Sequence, residues 1–392
     1  MFASEVALST FSPEALVGLA GPSGLAERRA VAVERFAAAS LPTTDEEVWR
    51  YSRIHELDLD RLSPGALTAS IAHGELGGAE VLRGESAAER LPDLPEHADA
   101  LTWLHHALAV DPIVIEVPSG VHVDAPIVVR HPGAADGIGA STLLVVRLGE
   151  ASSATVVEHH VGGGAGLVLP ATEVVVGQAA RAGYVALQQL SPQTWSIASL
   201  DIDAAQEANA TVGLAGFGGD YARVRTDCRL TGRGASGTLL AAYFGDGDQT
   251  LDYRTFQDHA APDTTSNLLF KGTVSDRSRS VYTGLIRVAK EARGTNAFQT
   301  NRNIKLSEDA WAESVPNLQI ENNDVHCSHA SAVGPIDEEQ RFYLESRGVP
   351  TRVAERLIVS GFFADVFDAF PATALRPDLD AAVAAKLTAV LS

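Results

Sequence analysis

The stretch Tyr221-Ala222-Arg223-Val224-Arg225-Thr226-Asp227-Cys228-Arg229-Leu230 decides the fold. Apolar or small residues at 222, 224, 226, 228 and 230 alternate with charged residues at 223, 225, 227 and 229. A period of two puts each set on its own face, so the segment reads as a strand with one buried and one charged side. Working outward, segments of similar character recur at 143–148, 155–159, 173–176, 184–188, 196–202 and 280–287. Val121, Val123 and Ala125 likewise alternate with His122 and Asp124. Between them stand the turn-forming clusters Gly162-Gly163-Gly164, Gly216-Phe217-Gly218-Gly219 and Gly245-Asp246-Gly247-Asp248. No helix-period segment of useful length interrupts residues 111–306, which excludes a βαβ arrangement. A sandwich, a barrel and a β-solenoid remain open, because no crisp short repeat selects among them.

The flanks change period. Ser12-Pro13-Glu14 sets a capping hydroxyl before a proline at the first helical position, and Gly21-Pro22 ends that helix. Residues 24–39 are rich in Ala, Arg and Glu, and Thr44 to Tyr51 reads as another capped turn before Trp49 and Tyr51. Residues 67–100 are weakly patterned. After Pro335, Asp337 and Gln340 take capping-box positions, and Arg347-Gly348-Val349-Pro350 breaks the element. Val353, Ala354, Leu357, Ile358 and Phe362, then Phe363, Val366, Phe367 and Phe370, follow at helical spacing. Such an apolar load either packs on the chain's own β-core or binds a partner.

Composition bounds the function. The 392 residues carry 30 basic and 50 acidic side chains, a formal charge of −20, which disfavours binding to phosphate backbones. Two cysteines, Cys228 and Cys327, make no disulfide framework, and a reducing cytosol is the expected compartment. Met1 to Ala20 holds Glu5 and Glu14 and no basic n-region, so no signal peptide is expected. No uncharged apolar run reaches the ~18 residues of a membrane span.

Chemistry concentrates at Asp324-Val325-His326-Cys327-Ser328-His329. On an extended backbone Cys327 and His329 share a face, since residues two apart do. Three readings stand: ordinary structure, metal or cluster ligation, and a thiol with its base. Ligation needs more donors than this pair supplies, so another element or another subunit would have to contribute. Cys228 reads as a small buried hydrophobe. His159 and His160 point to opposite faces of a strand, so only one could join a site, and His105-His106 read as packing or surface residues. Arg223, Arg225 and Arg229 form the one basic stripe, read as a solvated face. GxxxxGK, GxSxG, HExxH and paired CxxC motifs are absent, so no P-loop nucleotide site is expected.

The segments Pro316-Asn317-Leu318-Gln319-Ile320, Asp324 to His329, Phe342-Tyr343-Leu344, Ser346-Arg347-Gly348 and Ala354-Glu355-Arg356-Leu357 resemble the C-terminal signature of the SufB/SufD family. These are scaffold components of the SUF iron–sulfur cluster assembly system. Phe270-Lys271-Gly272, Tyr282-Thr283-Gly284, Thr295 to Gln299, Asn303 to Leu306 and the Trp49-Arg50-Tyr51 turn fit the same family. Length and cysteine count favour its SufD branch. The resemblance implies a right-handed parallel β-helix (106–333) between an N-terminal helical region (1–105) and a C-terminal one (334–392) that docks the ATPase. It implies a non-catalytic, cytoplasmic scaffold pairing with a SufB-like subunit through β-helix edges and binding a SufC-like ABC ATPase. Whether the isolated chain is a homodimer, a monomer or part of the larger assembly stays open. His329, with Cys327 and in third place His326, would face a transient nascent iron–sulfur cluster shared with the partner. Val353, Leu357, Phe362, Phe363 and Phe367 would contact the ATPase. Ala330-Ser331-Ala332 stands where the family commonly reads Gly-Ala-Thr. The competing readings are a carbohydrate-active β-helix enzyme and a homodimeric structural module.

Overall fold

The computed structural model describes residues 10–95 and 98–391; the first nine residues of the stretch read for a signal peptide lie outside them. Residues 113–335 form a parallel β-solenoid of eight turns, each contributing one strand to each of two sheets. One sheet runs through Ile113–Val117, Ile138–Leu148, Leu167–Val176, Trp195–Ala204, Tyr221–Leu230, Thr250–His259, Arg279–Val288 and Trp311–Ile320. The other runs through Ile127–Pro132, Ser153–Gly162, Arg181–Leu190, Asn209–Gly216, Ser236–Gly245, Thr265–Val274, Thr295–Lys305 and Val325–Pro335. Of the three all-β layouts the sequence left open, this is the solenoid.

The corners explain why the coil is regular. Gly120, Ala151, Ala179, Glu207, Gly234, Asp263 and Gly294 all have positive φ, about every 30 residues. Each hands its backbone N–H to the next corner: Ala151 N to Gln178 O at 2.8 Å, Ala179 N to Gln206 O at 2.9 Å, Asp263 N to Arg293 O at 2.8 Å. Only three of the seven are glycine, so four non-glycine residues accept a left-handed conformation that the ladder of corner bonds compensates.

Inward side chains stack in register along the axis. Early turns fill the interior with Ile113, Ile115, Ile127, Val129, Leu144, Val156 and Val174. Later turns switch to Tyr243, Asn301 and Asn303, joined by bonds of 2.9–3.0 Å, and to Gln299, which donates to Tyr282. Residues 121–125 are not the strand that their alternation predicted. They form a connector with a single bridge, His122 to Ser153, because Gly120 has already turned the chain.

Helices cover both outer faces. Ala26–Ala38 and Ala100–Leu108 pack against Leu167, Leu169, Ile197 and Tyr221 of the first sheet. Thr351–Ala369 and Arg376–Val390 pack against Val157, Val185, Leu187, Leu240 and Phe244 of the second. The N-terminal flank is less helical than expected. Ser70–Ala72 and Glu80–Arg83 are strands that pair antiparallel with Ile127–Pro132 and Ile113–Val117 and close both sheets at that end. The capping expectations hold at Ser12, which accepts from Ala15 N, and at Asp337, which accepts from Glu339 N and Gln340 N. No helix among the described residues is long and apolar enough to cross a membrane.

A buried ion network holds the N-terminal turn in place. Asp252 accepts from Arg223 at 2.8 Å, Arg254 at 2.6 Å and Tyr221 at 2.9 Å. Arg223 also donates to Val48 O at 2.6 Å and lies 4.0 Å over the Trp49 ring, while Arg254 donates to Arg50 O. This corrects the solvated-stripe expectation at Arg223, which is buried beneath Trp49. Arg225 and Arg229 stay outward but bind Asp227 at 2.7 Å and Asp203 at 2.6 Å.

Candidate functional site

The last turn ends the solenoid without a cover. Trp311–Ile320 and Val325–Pro335 are the terminal strands of their sheets, and among the described residues neither has a partner on its far side. Ala297 and Gln299 are buried inward residues, and their register partners are Cys327 and His329, so thiol and imidazole share the inward side. His326 pairs with Asn296 on the outward side, which separates it from the other two. Across the coil, Tyr282, Gly284, Ile286 and Val288 pair with Ser314, Pro316, Leu318 and Ile320. Leu318, Ile320 and Val333 are 37–42% exposed although they occupy inward columns, because no ninth turn sits above them. An unpaired edge with apolar side chains at its core is a template for another chain.

Cys327 packs half-buried against the cluster of Ile286, Val288, Ala292 and Ala297, whereas His329 is exposed. Burial pushes the Cys327 thiol up, only partly offset by the Ala297 backbone. That is the wrong direction for a free nucleophile and weighs against the thiol–base reading. Among the described residues no third His, Cys or carboxylate joins Cys327 and His329 within coordinating reach. The chain by itself offers two donors where a closed site takes about four.

The C-terminal helices divide the five residues expected to meet an ATPase. Val353 and Leu357 are exposed and Phe362 is half-buried. Phe363 and Phe367 are buried in the chain's own apolar layer with Val359 and Val366, so they brace the helix from beneath and are not on its surface. Lys271 ties the helix to the sheet, donating to Asp365 at 2.7 and 2.8 Å and to Phe362 O at 2.8 Å. Phe342 and Tyr343 on Glu338–Ser346 are strongly exposed, and Tyr343, Leu344, Leu357 and Ile358 line a shallow groove between the two helices. Phe342 and Tyr343 stood in the family-like segment of the sequence without being singled out for contact.

A cleft of about 760 Å³ on the opposite face is lined by Asp201, Asp227, Arg225, Arg229, Asp258 and Arg287. Burial and the neighbouring Asp227 push the Asp201 carboxyl up to about 6. Arg225, Arg229 and Arg287 are already engaged by Asp227, Asp203 and Asp258, so the cleft presents an internally paired ladder.

Cys228 is buried and its thiol is pushed up to about 12 by desolvation, as expected of a small core residue. His105 and His106 are buried, with His105 Nδ1 2.7 Å from Leu169 O. Sequence reasoning missed His131 and Glu158, which meet His160 where the first two turns stack. The signal was the repeat: His131 and His160 are register partners, one turn apart.

Residues 131–362 match the family model described as SUF system FeS cluster assembly, SufBD core domain. An iron–sulfur cluster assembly SufBD family protein of Mycobacterium tuberculosis is 31% identical over 358 residues, 88% of this chain and 89% of the relative. The iron–sulfur cluster assembly protein SufD of Escherichia coli is 29% identical over 304 residues, 75% and 71%. SufD of Bacillus subtilis is 28% identical over 298 residues, 73% and 67%.

Proposed function

We propose, since this chain belongs to the SufBD family of the SUF iron–sulfur cluster assembly system, that it is a non-catalytic, SufD-like scaffold subunit. One observation carries the reading: Cys327 and His329 share the inward side of an unpaired edge strand at the open end of the solenoid. Two donors cannot hold a cluster alone, but they can complete one whose other ligands arrive on a second chain. A SufB-like subunit that continues the two sheets across Trp311–Ile320 and Val325–Pro335 would cover Leu318, Ile320 and Val333 and bring its ligands to His329. The nascent cluster is cargo, formed at that junction and passed on. Cys327 lines the junction, and His326, facing outward, is the weaker ligand.

The C-terminal region, 334–392, serves as the dock for a SufC-like ATPase. Its exposed apolar surface joins Val353 and Leu357 to Phe342 and Tyr343, with Phe362 at the border and Phe363 and Phe367 as internal support. Nucleotide is bound by the ATPase and not by this chain. Such a role belongs to a reducing cytoplasm. A second copy could use the same open edges, which makes a homodimer the resting form of the isolated chain.

Anaerobic affinity purification from the native host tests this reading. Co-elution of a SufB-like chain and an ATPase, with a visible iron–sulfur absorbance that disappears in His329→Ala, is the expected result. A complex whose iron–sulfur absorbance is unchanged in the Cys327→Ala/His329→Ala double variant would overturn the ligand assignment.

A further inference from the structure

Between the first and second turns, His131, Glu158 and His160 converge in a fully buried group. Glu158 Oε2 accepts from Tyr184 OH at 2.5 Å and from Thr172 Oγ1 at 2.6 Å. Two hydroxyl donors on one oxygen mark the carboxylate as ionised. A carboxylate this deeply buried needs a counter-charge within reach.

The remaining oxygen shows how. Glu158 Oε1 lies 3.0 Å from His131 Nε2 and 3.3 Å from His160 Nε2. Despite these separations, Oε1 and His131 Nε2 both lack a hydrogen-bond partner, as do Nδ1 of His131 and of His160. An imidazolium–carboxylate pair would align its N–H on Oε1, and here the atoms are close without that alignment. A shared ion accounts for these two separations to Oε1, with all three donor atoms within 4.8 Å of one another. With metal–ligand bonds of about 2.1 Å, neighbouring donors in tetrahedral or octahedral sites stand roughly 3.0–3.4 Å apart. The two rings are stacked, 4.8 Å between centroids and 15° between planes, because the parallel ladder sets His131 and His160 side by side in register.

We propose that His131, Glu158 and His160 bind one divalent transition-metal ion of the zinc or ferrous class, enclosed as the chain folds. Two imidazoles with one carboxylate suit such borderline ions and not calcium or magnesium, which take oxygen donors. Further coordination falls to water. The site lies six to seven strands along the sheet from Cys327 and His329, roughly 29–34 Å at 4.8 Å per strand. It is independent of the scaffold reading.

The test is the metal content of the full-length chain, made in cells supplied with zinc and iron and desalted in chelator. About one ion per chain should remain, because an enclosed ion leaves only on unfolding. Glu158→Gln, which keeps the shape and both hydroxyl contacts, should lose it, and Cys327→Ala/His329→Ala should keep it. Chain unfolded with chelator and refolded with cobalt should show ligand-field absorption in the visible. A native wild-type chain holding less than about a tenth of an ion, or a Glu158→Gln chain holding as much as wild type, would overturn the proposal.

Discussion

The two ends of the solenoid are built from the same repeat and finished in opposite ways. At the first turn, Ser70–Ala72 and Glu80–Arg83 lie antiparallel on the opening strands and satisfy their edges. At the last turn, Trp311–Ile320 and Val325–Pro335 end bare, with Leu318, Ile320 and Val333 where a ninth turn would have buried them. Exposed parallel edges carry an aggregation hazard that proteins usually blunt. One end is blunted and the other open, so the hazard is confined to the surface that carries Cys327 and His329.

The closed and covered part should be sensitive to substitution and the open end tolerant. The largest effect is expected at Asp252, which pairs two buried guanidinium groups and so holds the Trp49 turn. Asp252→Ala should cost about 3–5 kcal/mol in urea denaturation, the range for breaking a buried ion pair. A cost under about 1 kcal/mol, the scale of a surface pair, would mean that the network holds nothing.

Acid should act on the interior before it acts on the edge. Burial pushes His259 down to about 4 although Thr264 and Ser266 hold both its nitrogens at 2.8 Å. His105 is likewise held down at about 4 by desolvation. Between pH 6.5 and 4 the unfolded chain binds these protons and the folded chain does not. Stability is therefore present above pH 6.5 and lost as pH falls toward 4, by about 3 kcal/mol for either residue. His259→Asn should flatten the pH profile, and an unchanged slope would remove His259 from the account.

Lys271→Met should loosen the C-terminal layer by about 1–2 kcal/mol by removing charge-assisted bonds to Asp365 and Phe362. Hydrogen exchange should show the loss confined to Thr351–Ala369. The smallest change is expected from Cys327→Ala/His329→Ala, within about 1 kcal/mol of wild type, since His329 is exposed and Cys327 only half-buried at the edge. A large destabilisation there would assign the pair to structure.

How much of this was legible follows the same division. Tyr221–Leu230 announced a strand because Cys228 and Leu230 face a core while Arg225 and Arg229 face water. The coil stayed hidden because its marker is a backbone conformation, held at Ala151, Ala179, Glu207 and Asp263 by non-glycine residues. Arg223 looked solvated because the alternation of one strand says nothing of the Trp49 turn that covers it, from 174 residues earlier in sequence. Phe363 and Phe367 had the spacing of a helix face, and spacing alone does not say whether sheet or partner receives that face. The shared side of Cys327 and His329 was legible from strand geometry, and family resemblance alone marked them as ligand candidates. Glu158 and His131 were not marked, because they become neighbours only when successive turns stack.

The most direct measurement is light scattering of the full chain mixed with a SufB-like partner, with Leu318→Lys/Val333→Lys compared to wild type. The account predicts that wild type forms the complex and the variant stays apart while keeping its melting temperature. A complex that forms equally well with lysines at both positions would contradict the claim that the open end is the interface.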